Sequence, residues 1–151
     1  MIALTLSREV NCDLEIAYRV IAGINHYKDF LDYIEDIEVL QISSKESLKE
    51  IVALTKVKEK FLRWSYNCLV RLNDADHSLV EIFIRPNRYI SSLYVRWQLE
   101  CGDSGTFVRF DLECLCQSKF FETLGYFMIK KYINVTVDSF VLEMQRQQAQ
   151  K

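Results

Sequence analysis

Apolar and polar residues alternate along most of this chain with a period of two, and the breaks in that alternation mark the remaining elements. Leu4 to Val10 reads as a strand. Asp13 then stands as the cap of a helix with the apolar stripe Leu14, Ile16, Ala17, Val20 and Ile21, ending near Gly23. Asn25 is placed to cap a second short helix carrying Tyr27, Phe30 and Leu31. From Ile37 onward the period of two returns. Leu62, Trp64, Tyr66, Cys68, Val70 and Leu72 share one side of a long strand, with Arg63, Ser65, Asn67 and Arg71 on the other. Val80, Ile82 and Ile84 mark the next strand. Leu93, Val95, Trp97, Leu99 and Cys101 alternate with Tyr94, Arg96, Gln98 and Glu100, and Val108, Phe110, Leu112, Cys114 and Cys116 with Arg109, Asp111 and Glu113. The pattern predicts a sheet with one apolar face and one wet face.

The turns "NDADH" (Asn73 to His77) and "GDSG" (Gly102 to Gly105) are short polar connectors suited to an antiparallel meander, so consecutive strands should be neighbours. After Ser118, an N-cap candidate, the period lengthens to that of a helix. Its inner stripe is Phe121, Gly125, Ile129, Tyr132, Ile133, Thr136, Phe140 and Met144, while Lys119, Glu122, Lys130, Lys131, Asn134 and Asp138 lie mostly elsewhere around it. One long helix against one curved sheet follows, an α+β arrangement. A sheet that curls round a helix without closing on it leaves space between them, and the two short helices would plug one open end. Gly125 and Thr136 are small members of the stripe, expected to leave volume there.

Composition narrows the function. With 151 residues, half of them hydrophobic and 13% aromatic, the chain is expected to form a single domain, 1–151, with an ample core. The formal net charge of -2 predicts no general attraction to phosphate backbones. No apolar run approaches the roughly 20 residues that span a bilayer, and "MIALTLSREV" lacks the features of a leader, so a cytoplasmic or matrix-side protein is expected. Cys12, Cys68, Cys101, Cys114 and Cys116 are odd in number with no C-x-x-C spacing, which favours reduced core thiols over disulfides.

Catalytic chemistry is hard to find. His77 lies in a polar turn and is expected to face solvent; His26 opens a helix and reads as a surface residue rather than a general base. Cys114 and Cys116 share one apolar face without a matching pair, so core packing is favoured over a metal site. Glu113 should face water, and Glu81 has the opposite parity to Val80 and Ile82. No phosphate-cradling glycine loop, nucleophile elbow or H-E-x-x-H is present. The chain is therefore read as a binding protein with no catalytic residues, no metal and no cofactor. Lys56, Lys58, Lys60, Arg63 and Arg71 fit a solvated sheet face; Arg85, Arg88, Lys130 and Lys131 are the basic residues expected near a cavity mouth, where lipid headgroups or RNA would meet them.

The order strand, two helices, about six strands and a long helix resembles the helix-grip fold of the START and birch-pollen-allergen (Bet v 1-like) superfamily. Within it the chain is similar to the coenzyme Q-binding, polyketide cyclase/dehydrase-like family, which includes ribosome association toxin-like proteins. Three passages carry the resemblance, which runs from about Leu4 to Met144. In "INHYKDFLDYIEDIEVL", Asn25, Tyr27, Phe30 and Leu31 match, with Lys28 and Asp32 where the family has prolines. In "RPNRYISSLY", Pro86, Arg88 and Ile90 match, with Arg85, Asn87 and Tyr94 replacing a glycine, a phenylalanine and a tryptophan. In "VRFDLECLCQSKFFETL", Phe110, Leu112 and Ser118 are in register.

The resemblance implies a lipophilic ligand, ubiquinone or a related polyprenyl lipid, held between sheet and helix and presented to the respiratory chain, with peripheral contact at the inner membrane. The expected ligand-binding residues are Tyr27, Phe30 and Leu31 at the lid, Trp64, Tyr66, Trp97 and Phe110 on the sheet, and Phe121, Ile129, Ile133 and Phe140 on the helix. The toxin branch implies the alternative partner, the large ribosomal subunit, whose joining the protein would oppose.

Overall fold

The computed structural model describes residues 1–151, apart from the side chain of Leu62, whose predicted inward orientation lies outside the described residues. Strand β1 (Ile2–Val10) leads into helix α1 (Leu14–Ala22) and a 3-10 helix (Ile24–Asp29). Then come β2 (Ile34–Lys45), β3 (Leu48–Glu59), β4 (Leu62–Asn73), β5 (Leu79–Ile84), β6 (Ile90–Cys101) and β7 (Thr106–Cys116). The long helix α2 (Lys119–Ala149) closes the order. All strands pair antiparallel in one sheet, β1-β7-β6-β5-β4-β3-β2, so every step from β2 to β7 is between neighbours and only β1 crosses to the far edge. The curved sheet wraps α2 in the expected helix grip.

Register confirms the inner face. Val80 lies opposite Trp97, Trp97 opposite Phe110 and Leu6 opposite Phe110, all on the side facing α2. The strand β2 begins at Ile34, earlier than its alternation suggests. Irregularities between Ile34 and Asp36 and between Val39 and Gln41 shift the register there, and each extra residue interrupts the period of two.

Three local expectations meet different fates. Ser118 caps α2, its hydroxyl accepting from the Phe121 N–H at 3.2 Å. Asp13 holds the N-cap position of α1 but makes no cap bond; its carboxylate receives the Lys151 ammonium instead. Asn25 is not a cap, because the second helix is a 3-10 turn that starts at Ile24. The Gly23 N–H still closes α1 on Arg19 O (3.0 Å) while its own carbonyl already accepts from His26 (3.0 Å), leaving no separate cap residue between the helices.

His77 is another departure. Its ring stacks on Tyr18, with centroids 4.5 Å apart, rather than facing solvent freely. The Tyr18 hydroxyl donates to Asp74 in the same turn (2.9 Å), which draws α1 against the β4–β5 hairpin and covers the imidazole.

On the outer face, Asp111 is buried between β1 and β6. It accepts from Thr5 Oγ1 (2.7 Å), Arg96 (3.2 Å) and Arg109 (3.1 Å). Burial pushes its carboxyl up, but the Thr5, Arg96 and Arg109 bonds outweigh that and hold it below the ordinary aspartate value of 3.8. The unfolded chain therefore takes up this proton first. The stabilisation is fully present above the ordinary value and is lost as pH falls below it. Denaturant midpoints of the native chain and Asp111→Asn are expected to differ at neutral pH and to converge as acid protonates Asp111.

Candidate functional site

Five of the expected ligand residues form one aromatic cluster at the end of the grip that α1 and the 3-10 helix plug. The Tyr27 ring meets Phe140 edge-on at 5.0 Å and Phe30 at 5.9 Å; Phe30 meets Phe140 at 5.1 Å. Trp97 continues the chain of rings to Phe140 at 4.8 Å and to Phe110 at 4.7 Å. Leu31 and Ile133 are buried in the same core. The Tyr27 hydroxyl is spent on the Ile21 carbonyl, which ties the aromatic stretch to the end of α1. The large apolar groups of "INHYKDFLDY" thus wall off this end as packed core. They do not line free space.

The opposite end is different. There Tyr66, Ile82, Ile84, Ile90 and Leu93 point inward from β4, β5 and β6, and Phe121 and Ile129 face them from α2, yet all remain partly exposed. The cause is the path of α2, whose close backbone approaches are chiefly to α1, β1 and β7, on one side of the sheet. Close approaches of α2 to β3, β4 and β5 are few, and the inward apolar side chains at the β5–β6 end are left as an incompletely covered apolar cleft. Trp64 stands at the rim, 43% exposed. Of the expected residues, then, Tyr66, Phe121 and Ile129 border the cleft, and Ile82, Ile84, Ile90 and Leu93 join them. Ile82, Ile84 and Leu93 were legible as inward-facing, whereas Ile90 has the opposite parity to Leu93 and joins them through the register shift between Ile90 and Ser92. Alternation carries no sign of which inward residues stay uncovered.

Polar groups sit between the packed and open halves. Tyr33 OH and Thr136 Oγ1 are 2.8 Å apart, joining the start of β2 to the middle of α2. Thr55 is buried beside the Cys68 thiol (4.0 Å) and lies opposite Tyr66 across the β3–β4 pair. The Tyr66 hydroxyl has Thr55 as its side-chain hydrogen-bond partner, so the two hydroxyls stand together at this boundary. Burial pushes the phenols of Tyr33 and Tyr66 and the Cys68 thiol up, so all three stay neutral at physiological pH. They can offer hydrogen bonds but no charge.

The two small residues of the helix stripe do not leave volume. Thr136 is bonded to Tyr33. A Cβ at Gly125 would lie 3.8 Å from both Cys116 Sγ and Ile2 Cδ1, ordinary contact distances, so glycine marks a close approach of α2 to the sheet. Gly125→Ala is expected to fit and to raise stability by about 0.5–1 kcal/mol, the helix-propensity gain, read as a higher denaturant midpoint. A fall in stability would mean that Cys116 and Ile2 leave no room for the added methyl group.

Cys114 and Cys116 face inward with sulfurs 3.9 Å apart, and burial together with the neighbouring thiol pushes Cys114 up to about 12. Among the described residues no cluster of three or more His, Cys, Asp or Glu side chains could hold a metal. Glu81 accepts from Tyr94 OH at 2.5 Å on the outer face, and Glu113 is exposed there. Arg63 and Arg71 pair with Glu35 (3.6 Å) and Glu50 (3.3 Å) on the solvated face.

Arg85 and Arg88 are exposed in the β5–β6 loop at the open end, whereas Lys130 and Lys131 stand more than two turns along α2 from Phe121. The four do not form one cluster. Asn87, where a phenylalanine was expected, organises this loop by accepting from the Tyr89 and Ile90 N–H groups (2.8 and 3.0 Å). The aromatic role passes to Tyr89, whose ring meets Phe121 edge-on at 5.1 Å and flanks the cleft. Two surface recesses are also present, the second sharing Ile84 with the cleft. A groove of about 510 Å³ runs between Met1–Ala3 and Glu122, Thr123, Tyr126 and Phe127, and one of about 310 Å³ is lined by Val52, Cys68, Leu69, Phe83, Ile84, Arg85 and Pro86.

Solved structures with the same architecture are numerous. The Zhui aromatase/cyclase from Streptomyces sp. R1128 superimposes with a TM-score of 0.78 at 10% identity, covering 97% of this chain and 93% of that one. A START superfamily protein from Mycobacterium smegmatis gives 0.71 at 13% identity, covering 98% and 97%. This is the START-type helix grip. The 18 kDa protein CC1736 from Caulobacter crescentus shares it, at 0.76 and 14% identity over 99% of this chain and 97% of that one. No protein-family model and no curated protein matches the sequence. At such identities the helix grip is shared as a fold, one used by aromatase/cyclases as well as by proteins of the START superfamily.

Proposed function

We propose that this helix-grip protein binds a hydrophobic ligand in the cleft between the first half of α2 and strands β4 to β6, and serves as its carrier or chaperone. The observation that carries this reading is a row of inward-facing apolar side chains, Ile82, Ile84, Ile90 and Leu93, left accessible in the folded chain opposite Phe121 and Ile129. Covering them would gain about 25 cal/mol per Å² of apolar surface. A ligand with one polar end fits best, because the neutral hydroxyl of Tyr66, paired with Thr55, stands where the cleft meets the packed half. Ubiquinone or a related polyprenyl lipid has that form, an oxygen-bearing ring on a long apolar tail, and a role in supporting respiration follows from that ligand. Binding without catalysis is favoured because Tyr33, Tyr66 and Cys68, the titratable groups between the packed and open halves, are held neutral by burial.

Mass spectrometry of organic extracts from the natively purified protein tests this. A polyprenyl quinone or similar lipid is expected at close to one per chain. An empty protein that also fails to bind a short-tailed ubiquinone would overturn the reading. The ribosomal alternative rests on Arg85, Arg88, Lys130 and Lys131, and sedimentation with large subunits across a salt series separates the two.

A further inference from the structure

We propose that the outward face of the first half of α2 docks on the surface of an anionic lipid bilayer. The helix carries apolar groups on two separate faces there. Ile129 and Ile133 turn inward, but Phe120 (71% exposed), Leu124 (50%), Phe127 (68%) and Met128 (49%) turn the other way, with Val135 continuing the stripe. Positions 120, 124, 127, 128, 131 and 135 fall on one side of a helix with 3.6 residues per turn. A surface helix needs apolar residues only where it meets the core, and a second contiguous apolar stripe marks a surface that something else covers.

Charge selects what covers it. From Lys119 to Val137 the helix has three lysines against the single Glu122, in a chain whose formal net charge is -2. Lys131 lies within the apolar stripe, and Arg88 is exposed beside Tyr89, which abuts Phe121. The Lys130 and Lys131 ammonium groups stand 5.6 and 5.7 Å from the Tyr126 and Tyr132 ring centres. Their stems therefore lie along aromatic surface with the charge at its margin, the arrangement by which lysine reaches headgroups above buried apolar groups. An apolar stripe edged with lysine is what an interfacial helix presents to anionic lipid. A phosphodiester surface would satisfy the lysines but leave the two phenylalanines, Leu124 and Met128 without a partner. Docked this way, the same helix turns Phe121 and Ile129 to the cleft, so the cleft mouth lies close to the bilayer.

The docking residues are not those assigned to the ligand, and the two readings can fail separately. The test is flotation of the full chain with vesicles of phosphatidylcholine alone and of phosphatidylcholine with phosphatidylglycerol, at low and high salt. The native chain is expected to float with the mixed vesicles, less so at high salt, and poorly with phosphatidylcholine alone. A Phe120→Ser/Phe127→Ser variant is expected to lose about tenfold or more of this binding, with its thermal melt and its extracted ligand unchanged. Lys131→Ala is expected to lose roughly fivefold on anionic vesicles only. No flotation of the native chain, or flotation indifferent to both salt and the phenylalanine changes, overturns the proposal. So does finding that the phenylalanine changes instead dissolve a dimer or abolish sedimentation with ribosomes. A chain that floats but carries no ligand refutes the carrier reading alone, and the salt series stands even if the variant misfolds.

Discussion

Trp97→Ala is expected to destabilise the protein by about 3–5 kcal/mol, the usual range for deleting a large buried aromatic side chain. Trp97 is 1% exposed and sits between Phe110 and Phe140, so its removal opens a cavity bordered by rings from β7 and α2. The Phe140 ring also holds Tyr27 and Phe30, so it cannot move into the cavity without disturbing the plug at the closed end. The urea midpoint should fall with the slope unchanged. At about 2–4 °C per kcal/mol for a chain of this size, the melting temperature should drop by about 10 °C. Trp64→Ala is the internal control. Its side chain stands at the rim, and a loss below about 1 kcal/mol is expected. Equal effects of the two changes would show that Trp97 is not the centre of the packed half.

The second large effect is on ligand. Ile84→Glu is expected to reduce retention of a polyprenyl lipid by about a hundredfold, since binding would then bury a carboxylate against an apolar tail. Leu93→Glu, directly opposite across the β5–β6 pair, should behave alike. Both positions are already partly exposed, so neither change should unfold the chain. Phe83→Glu, one residue earlier and on the outer face beside Tyr94, should leave retention within about twofold of native, inside the usual range for a surface change. The comparison is made by extraction and quantification from equal amounts of folded protein. Undiminished ligand in Ile84→Glu would move the binding site out of the cleft.

These two results would divide the inner face into a half that stabilises and a half that binds. The sequence reading treated that face as one surface. Trp97, Phe110, Ile133 and Phe140 share the inward position of their elements with Tyr66, Phe121 and Ile129, while the resemblance adds Tyr27 and Leu31 as a lid. Parity reports which side a residue faces. It does not report how far away the opposite wall stands.

Gly125 illustrates the same limit. A small residue on an inner stripe reads equally as a void or as a close approach. Only the positions of Cys116 and Ile2, brought from β7 and β1, decide for the approach. Asn87 and Tyr89 show a substitution that looks like a loss of aromatic surface in the linear chain. In space the ring two residues later occupies the edge of the cleft against Phe121.

By itself, the amino-acid order determined the succession of elements, the antiparallel meander, the inward and outward faces of each strand and the cap of α2 at Ser118. Each of these is a local property of hydrophobic period and turn chemistry, expressed within a dozen residues. Tertiary structure alone decided that the 3-10 helix packs onto Phe140, that α2 leans toward β1 and β7, and that the grip stays open beyond Tyr66. Those outcomes depend on contacts between residues far apart in the chain, where the distance between two apolar faces is set by the closure of the whole sheet.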